Sequence, residues 1–480
     1  MSDPVIRQAP SGRELVCFDR GDEQLLLSVE DLLVVREHRD VVEAALAADG
    51  RALAALGEDE AQRAQALRDA FAARSSKPTR APDRLDPIGQ VNVCNTLRCN
   101  LRCRYCYNEI ETKEKKGSAA RTVMSAEIGH QLIEALLAQE RIPRELALLF
   151  IGGESLIDRA GMDALIRHGR RRCARRRVGL APVIYTNGVL LDRDLVAWAD
   201  KLDVSLVVSL DGPPAINDRF RVFPSGAPST AATLRGVEQL VRHGRQRVRR
   251  VRSVTTEPTA LLPLHQYLLD LGFNDLYVQA AYDQRGYHDH DEALDLEALA
   301  DWYRTLLLAG VVISIHPFEV LLERLRARGR GVPNHYPCGA ALQTLAIGPD
   351  GTWYPCHHFI GERDWALGNV RDGLPAADQR HRACVPVAAR TPCDTCWARH
   401  LCGGECYHRA LTAGRGYDGV IEESCERKRR FFELGVELLT DVKARRPDAL
   451  AALLERRLTP LPFNPVAYEQ DDLRIYHHRT

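Results

Sequence analysis

Cys99-Asn-Leu-Arg-Cys103-Arg-Tyr105-Cys106 follows an apolar run and spaces three thiols as C-x-x-x-C-x-x-C. Three soft thiolates on one tight loop can each hold one iron of a cubane and leave the fourth iron without a protein ligand. Such an open iron is a place where a small molecule binds and receives an electron. Taken alone, the loop also suits a zinc site. The text on either side of it decides between these readings.

From Gly89 to about His335, short apolar runs alternate with amphipathic helical text. The expected strands are Gln90–Cys94, Ala147–Ile151, Val183–Thr186, Val204–Leu210, Arg249–Thr255 and Leu276–Ala280. Helices are expected at about Ser125–Gln139, Asp158–Arg176, Asp192–Lys201, Ser229–His243 and Thr259–Leu271. Strand–helix repetition of this kind predicts parallel strands joined by right-handed crossovers. The fold class is α/β, and six units suit an open or partial (β/α)6 barrel rather than a closed eight-fold one. Chemistry in such folds collects at the C-terminal ends of strands. Cys99–Cys106 follows the first strand, Gly152-Gly-Glu154 the second and Thr186-Asn-Gly188 the third, while Ser209-Leu-Asp-Gly212 ends the fourth.

Outward from this core the text changes. Residues 1–75 read as a small α+β unit, with strands at Arg13–Asp19 and Glu23–Val29 and Ala-rich helical text to Ala73. Residues 76–88 have linker composition. Beyond the 89–335 core, residues 336–430 are rich in Cys, Gly and Pro. Residues 431–480 finish a charged helix, expected over about Glu426–Arg457, and a Pro-punctuated tail.

The chain has 480 residues, 65 basic and 65 acidic, so its zero formal charge argues against a general nucleic-acid binder. No secretory signal or membrane-length apolar run is visible. Fourteen cysteines without a signal point to a reducing cytoplasm, where thiols serve metals or redox work. The arginine runs Arg170–Arg177 and Arg242–Arg252 read as solvated outer helix and loop. The alternative is a charged surface for an acidic peptide or a redox donor.

The first loop resembles the radical SAM family, whose signature is C-x-x-x-C-x-aromatic-C. The resemblance implies that Cys99, Cys103 and Cys106 hold a [4Fe–4S] cluster and that S-adenosylmethionine (SAM) chelates the open iron. It places Tyr105 against the adenine, and the Gly152, Gly153 and Glu154 element at the methionyl ammonium. Asn187, Ser209, Asp211 and Arg221 sit where family members contact the ribose and carboxylate. The same residues also suit plain turn chemistry.

Downstream, Cys338-x12-Gly351-x4-Cys356, Cys393-x2-Cys396-x5-Cys402-x3-Cys406 and Cys425 resemble the seven-cysteine SPASM pattern. That resemblance implies two auxiliary [4Fe–4S] clusters, three clusters in all. Cys338, Cys356 and Cys406 would serve the first; Cys393, Cys396, Cys402 and Cys425 would serve the second. The first then lacks a fourth ligand unless Cys384 supplies it, and its open iron would suit a substrate thiolate. Cys94, Cys173 and Cys17 read as packing thiols.

Tyr354-Pro-Cys356-His-His-Phe-Ile-Gly361 and Leu367-Gly-Asn-Val370 look like thioether-forming peptide maturases of the SCIFF and quinohemoprotein amine dehydrogenase types. Anaerobic sulfatase maturases instead place an aspartate after the cysteine equivalent to Cys356, where this chain has His357. His357 or His358 would either move a proton or simply hydrogen-bond near the cluster, and the expected catalytic groups are His357 and Asp211. The expectation is a cytoplasmic radical SAM oxidoreductase acting on a peptide or small protein, most simply by thioether cross-linking. It would draw electrons from flavodoxin or ferredoxin and need neither membrane nor nucleic acid. Carbon–carbon cross-linking, epimerisation, formylglycine formation and a non-catalytic iron–sulfur carrier are the alternatives. The N-terminal unit would either recognise a leader peptide through a sheet edge or cap the barrel.

Overall fold

Leu-, Val- and Ile-rich runs too short for helices pair as neighbours in the computed structural model. It describes residues 4–9, 14–29, 32, 34–47, 51–72, 86–107, 123–256, 259–281, 295–321 and 334–468. A four-stranded antiparallel sheet comes first: β1 (Val5–Gln8), β2 (Glu14–Arg20), β3 (Glu23–Ser28) and β4 (Val34–His38). The core strands follow as β5 (Gln90–Val93), β6 (Glu145–Phe150), β7 (Gly179–Thr186), β8 (Ser205–Ser209), β9 (Arg250–Thr255), β10 (Asp275–Ala280) and β11 (Ser314–His316). β12 (Thr344–Ile347) and β13 (Trp353–Tyr354) complete a nine-stranded sheet of order β11-β10-β9-β8-β7-β6-β5-β12-β13. It has two edges and is an open barrel, as expected.

The period-two alternation of the strands divides the core sheet into two faces. Val91, Val93, Leu148, Phe150, Ile184, Val251 and Leu276 are buried in the main core. Fully burying such a side chain contributes about 1.5–3 kcal/mol. The alternate residues Asn92, Leu149, Tyr185, Arg252, Tyr277 and Gln279 line a cavity on the other face. Polar residues inside strands are thereby explained: they face the site.

Acidic and hydroxyl caps set the crossover helices. Ser125 Oγ accepts from Ile128 N–H at 3.3 Å and starts the Ala126–Leu137 helix. Asp158 and Asp192 do the same for Gly161 (3.3 Å) and Leu195 (2.7 Å). Each such cap stabilises its helix by about 1 kcal/mol.

Four features of the core and the C-terminal half depart from the expectations. β11 adds a seventh parallel strand beside β10. β12, from the Cys-rich region, pairs in parallel with β5 through Leu345 and Val91 and covers that edge. The sheet therefore runs across the expected 335/336 boundary. The C-terminal helix starts at Glu422, ends at Arg445 and resumes as Pro447–Leu454, because Pro447 fits a first turn but not an interior. Parts of the arginine runs are tied into the fold while staying part-exposed. Arg249 donates to Leu461 O at 2.6 Å, Arg250 pairs with Asp275 at 2.8 Å, and Arg170 binds the Leu202 carbonyl.

The N-terminal sheet has two more strands than expected. It docks through Phe18 against Trp397 (5.6 Å between ring centroids), Glu14 to Arg399 at 2.6 Å and Arg20 to Glu437 at 3.1 Å. Residues 73–85, most of the expected linker, lie outside the described residues. Among the described residues no helix is long and apolar enough to cross a membrane.

Candidate active site

Three loops at the C-terminal ends of β5, β6 and β7 are laced together. Gly153 N–H donates to Thr96 O at 2.9 Å, and Glu154 N–H donates to Arg98 O at 2.8 Å. Glu154 is buried; its carboxylate accepts from Asn187 N–H at 2.7 Å and Leu156 N–H at 3.3 Å. Burial pushes its pKa up to about 7, against the pull of those donors. Asn187 in turn donates from Nδ2 to Asn100 Oδ1 at 2.7 Å, inside the cysteine loop.

Both glycines of this element are required by contact. Gly152 has φ +149°, and a Cβ there would meet Cys94 Sγ at 2.5 Å. A Cβ on Gly153 would stand 2.1 Å from Arg98 O, a backbone atom that cannot swing away. Gly153→Ala is expected to push the cysteine loop off the second strand and cost about 1–3 kcal/mol or more. A lowered melting temperature together with reduced iron loading would establish this, and unchanged values would refute it.

Cys99, Cys103 and Cys106 are half-buried and lie within each other's electrostatic reach. Burial holds the Cys99 thiol up to about 11 and Cys103 up to about 12, so metal would have to displace protons here. Leu101 N–H points at Cys99 Sγ from 3.4 Å. Among the described residues no three His, Cys, Asp or Glu side chains group closely enough to hold a single metal ion. Each thiolate of a cubane binds a different iron, and three thiols on one loop are a donor set that fits such a cluster.

Tyr105 donates to Asp211 Oδ2 at 2.5 Å, and Arg221 Nε reaches the same oxygen at 2.9 Å. Val254 N–H donates to Asp211 Oδ1 at 2.9 Å. Asp211 is thus held by three donors from three elements. Burial opposes the Arg221 charge, yet Asp211 beside it holds the guanidinium above its ordinary range. Burial likewise pushes the Tyr105 phenol up. Ser209 ends β8 opposite Arg252 of β9.

The downstream cysteines fall into two groups. Cys338, Cys356 and Cys406 line the barrel-facing cavity, about 760 Å³, together with His357 and His358. Burial raises the Cys356 thiol well above its usual value. Cys393, Cys396, Cys402 and Cys425 line a second cavity of about 1080 Å³ against the C-terminal helix; Cys402 borders both. Cys384 lines neither; its Sγ donates to Arg380 O at 3.1 Å.

The sequence reading missed three things here. Tyr107 lies 4.5 Å from the His358 ring, and His358 stacks on His408 at 4.6 Å. The loops after Cys106, Cys356 and Cys406 therefore meet through rings, a signal present only as aromatic residues one or two places past a cysteine. Arg390, almost fully buried, donates to Glu405, Asp418 and Gly419 carbonyls, each at 2.8 Å, and ties the Cys-rich loops together. Arg252 enters the cavity from β9.

An open parallel barrel with three thiols at one strand end and a Gly-Gly-Glu loop at the next defines the class. Residues 95–257 match the Radical SAM superfamily model, and the chain carries a radical SAM domain. Its cofactors are a [4Fe–4S] cluster and SAM. The chain is 22% identical over 366 residues to a cysteine-type anaerobic sulfatase-maturating enzyme of Clostridium perfringens, covering 72% of this chain and 95% of that protein. It is 26% identical over 380 residues to the serine-type enzyme of Bacteroides thetaiotaomicron, covering 72% and 87%. A solved structure of anSMEcpe with bound AdoMet superposes with a TM-score of 0.62 at 20% identity, covering 77% of this chain and 98% of that one.

Proposed function

We propose that this protein is a peptide-modifying radical SAM oxidoreductase that joins a substrate cysteine sulfur to a neighbouring carbon as a thioether. The observation that carries the reading is the cavity that Cys338, Cys356 and Cys406 share with Asn92 and Tyr185 of the core sheet and with Ile151 at the end of β6, with Tyr107, next to Cys106, 4.5 Å from the His358 ring on its wall. Three thiols suit an auxiliary cluster with one iron open to a substrate thiolate, while Cys384 is turned to the Arg380 carbonyl. Cys393, Cys396, Cys402 and Cys425 would hold the second auxiliary cluster. When bound, the clusters and SAM supply a hydrogen-abstracting 5′-deoxyadenosyl radical and an outlet for one electron.

The chain's own groups would do the rest. Glu154 and Asn187 orient the methionine end of SAM, Ser209 and Arg221 its polar groups, and Tyr105 packs on the adenine. Asp211 holds Tyr105 and Arg221 in place for this. His357 and His358, on the cavity wall, would accept the thiol proton as the substrate cysteine binds as a thiolate, before the carbon–sulfur bond forms. Net loss is two hydrogen atoms: one as a hydrogen atom, one as proton and electron.

Peptide substrates are supported by the anSMEcpe structure that carries the Kp18Cys peptide with AdoMet (TM-score 0.61, 19% identity). The N-terminal sheet suits a leader segment, since its edge strand β1 leaves Val5 50% and Ile6 46% exposed. Flavodoxin or ferredoxin in a reducing compartment suits the electron supply.

The relatives favour a second reading, oxidation of a cysteine or serine to formylglycine. One experiment separates the two. Anaerobically reconstituted enzyme, SAM and dithionite are incubated with a short cysteine-containing peptide encoded beside the gene. A product two hydrogens lighter that no longer alkylates with iodoacetamide supports the thioether. An aldehyde that reacts with hydrazide supports formylglycine, and an unchanged mass rejects both.

The assignment of Cys384 has its own test. Cys384→Ala is expected to leave iron content and the reduced-cluster resonance spectrum as in wild type. Loss of about one cluster's iron, roughly four atoms, would make Cys384 a ligand.

A further inference from the structure

Five residues line both cysteine-bearing cavities and so form the wall between them: Cys402, Gly404, Glu405, Lys428 and Phe432. Two of these carry charge. Lys428 Nζ donates to Glu405 Oε2 at 3.0 Å, and Glu405 is almost fully buried. The other carboxylate oxygen, Oε1, accepts from Cys406 N–H at 2.8 Å, while Arg390 donates to the Glu405 carbonyl at 2.8 Å. Glu405 is therefore held through main chain and side chain, and it keeps the ammonium in one place.

The position of the pair gives it a use beyond stability, to which a carboxylate and an ammonium withdrawn from water contribute little net. Glu405 immediately precedes Cys406, a thiol of the first cavity. Lys428 stands three residues after Cys425, a thiol of the second, on the Glu422–Arg445 helix, and that spacing puts the two on one helix face. Lys428 also lies within electrostatic reach of both Cys402 and Cys425. Other cations on the second cavity pair with acids that are not part of the wall: Arg399 with Glu14 at 2.6 Å and Arg430 with Glu297 at 2.8 Å. A cubane held by four thiolates is an anion, and reduction adds one more negative charge. A fixed cation beside it stabilises the reduced form more than the oxidised one.

We infer that Lys428, held against Glu405, raises the reduction potential of a cluster bound by Cys393, Cys396, Cys402 and Cys425, so that an electron leaving the first auxiliary cluster settles on the second. This rests on reading those four thiols as the ligands of that cluster. In the step the first cluster is oxidised by one electron and the second is reduced by one; no bond or proton moves.

Potentiometric titration followed by electron paramagnetic resonance tests this. The protein is anaerobically reconstituted and carries alanine at Cys99, Cys103 and Cys106, so that the auxiliary centres alone report. The centre whose signal Cys425→Ala alters or removes is the second auxiliary cluster. K428Q should weaken that centre's hold on its electron about ten-fold or more, a fall of about 59 mV for one electron. K428R keeps the charge and should shift it far less. E405Q keeps an acceptor for Cys406 N–H but removes a negative charge from the wall, so it should shift the midpoint upward. The first auxiliary centre should move less in each case. An unchanged midpoint in K428Q of parental iron content, shifts of the same sign in K428Q and E405Q, or a larger shift at the first centre overturns the inference. Should K428Q load no second cluster, E405Q decides by itself: an upward shift supports the inference, and an unchanged or lowered midpoint overturns it. The ligand reading fails separately, and the inference with it, if Cys425→Ala leaves iron content and both auxiliary signals as in the parent.

Discussion

Replacing Cys99, Cys103 and Cys106 together by alanine is expected to abolish reductive cleavage of SAM and to remove about four of roughly twelve irons per chain. The expectation follows from where these thiols sit. They share one loop after β5, half-buried, with the Leu101 amide aimed at Cys99 and the Gly-Gly-Glu loop strapped alongside. Alanine is smaller and apolar, so the loop itself should persist and the loss should be one of ligation. The two cavities built by Cys338, Cys356 and Cys406 and by Cys393, Cys396, Cys402 and Cys425 lie on other elements and should keep their iron. Iron analysis and 5′-deoxyadenosine quantitation on the same sample measure both halves. Retained cleavage, or loss of all iron, would defeat the assignment.

Asp211→Ala is expected to produce the largest destabilisation of any substitution at the strand ends. Arg221 and Asp211 are both buried and joined at 2.9 Å, and Tyr105 and Val254 N–H also donate to the carboxylate. Removing the carboxylate leaves a buried guanidinium without its counter-charge, a loss of about 3–5 kcal/mol for a pair of this kind. The Tyr105 hydroxyl and Val254 amide add about 1–3 kcal/mol each where water cannot replace the lost acceptor. Asp211→Asn keeps the shape and an acceptor and should lose less. Thermal unfolding of the two variants beside wild type measures the order. Equal melting temperatures for all three would show that the pair contributes nothing and that Asp211 is not the anchor of Tyr105.

The expected strands β5 to β10 were legible because a strand with one face in the core and the other on the cavity reads as a short run of alternating apolar residues between turn signals. Helix starts were legible to within a residue or two at Ser125, Asp158 and Asp192, whose side chains cap the first turn. β11, β12 and β13 span two to four residues each, too few for any period to show. β1, four residues long, escaped for the same reason, and β4 because Val34-Val-Arg-Glu-His38 reads as charged text. Arginines were read as solvated since nothing local distinguishes Arg250, paired with Asp275, from a surface neighbour.

Spacing along the chain was enough to locate the chemistry. Three thiols within eight residues and two glycines before a carboxylate are constraints that act over a single loop, and no distant contact is needed to state them. The partition of the later thiols between two cavities and the stack that runs from Arg252 through Tyr277 to His316 belong to the folded chain alone. Each joins residues many places apart, and pairing across the sheet sets which side chains share a face. Short-range geometry is written in residue order, whereas the shape and charge of an enclosed space depend on every wall that closes it.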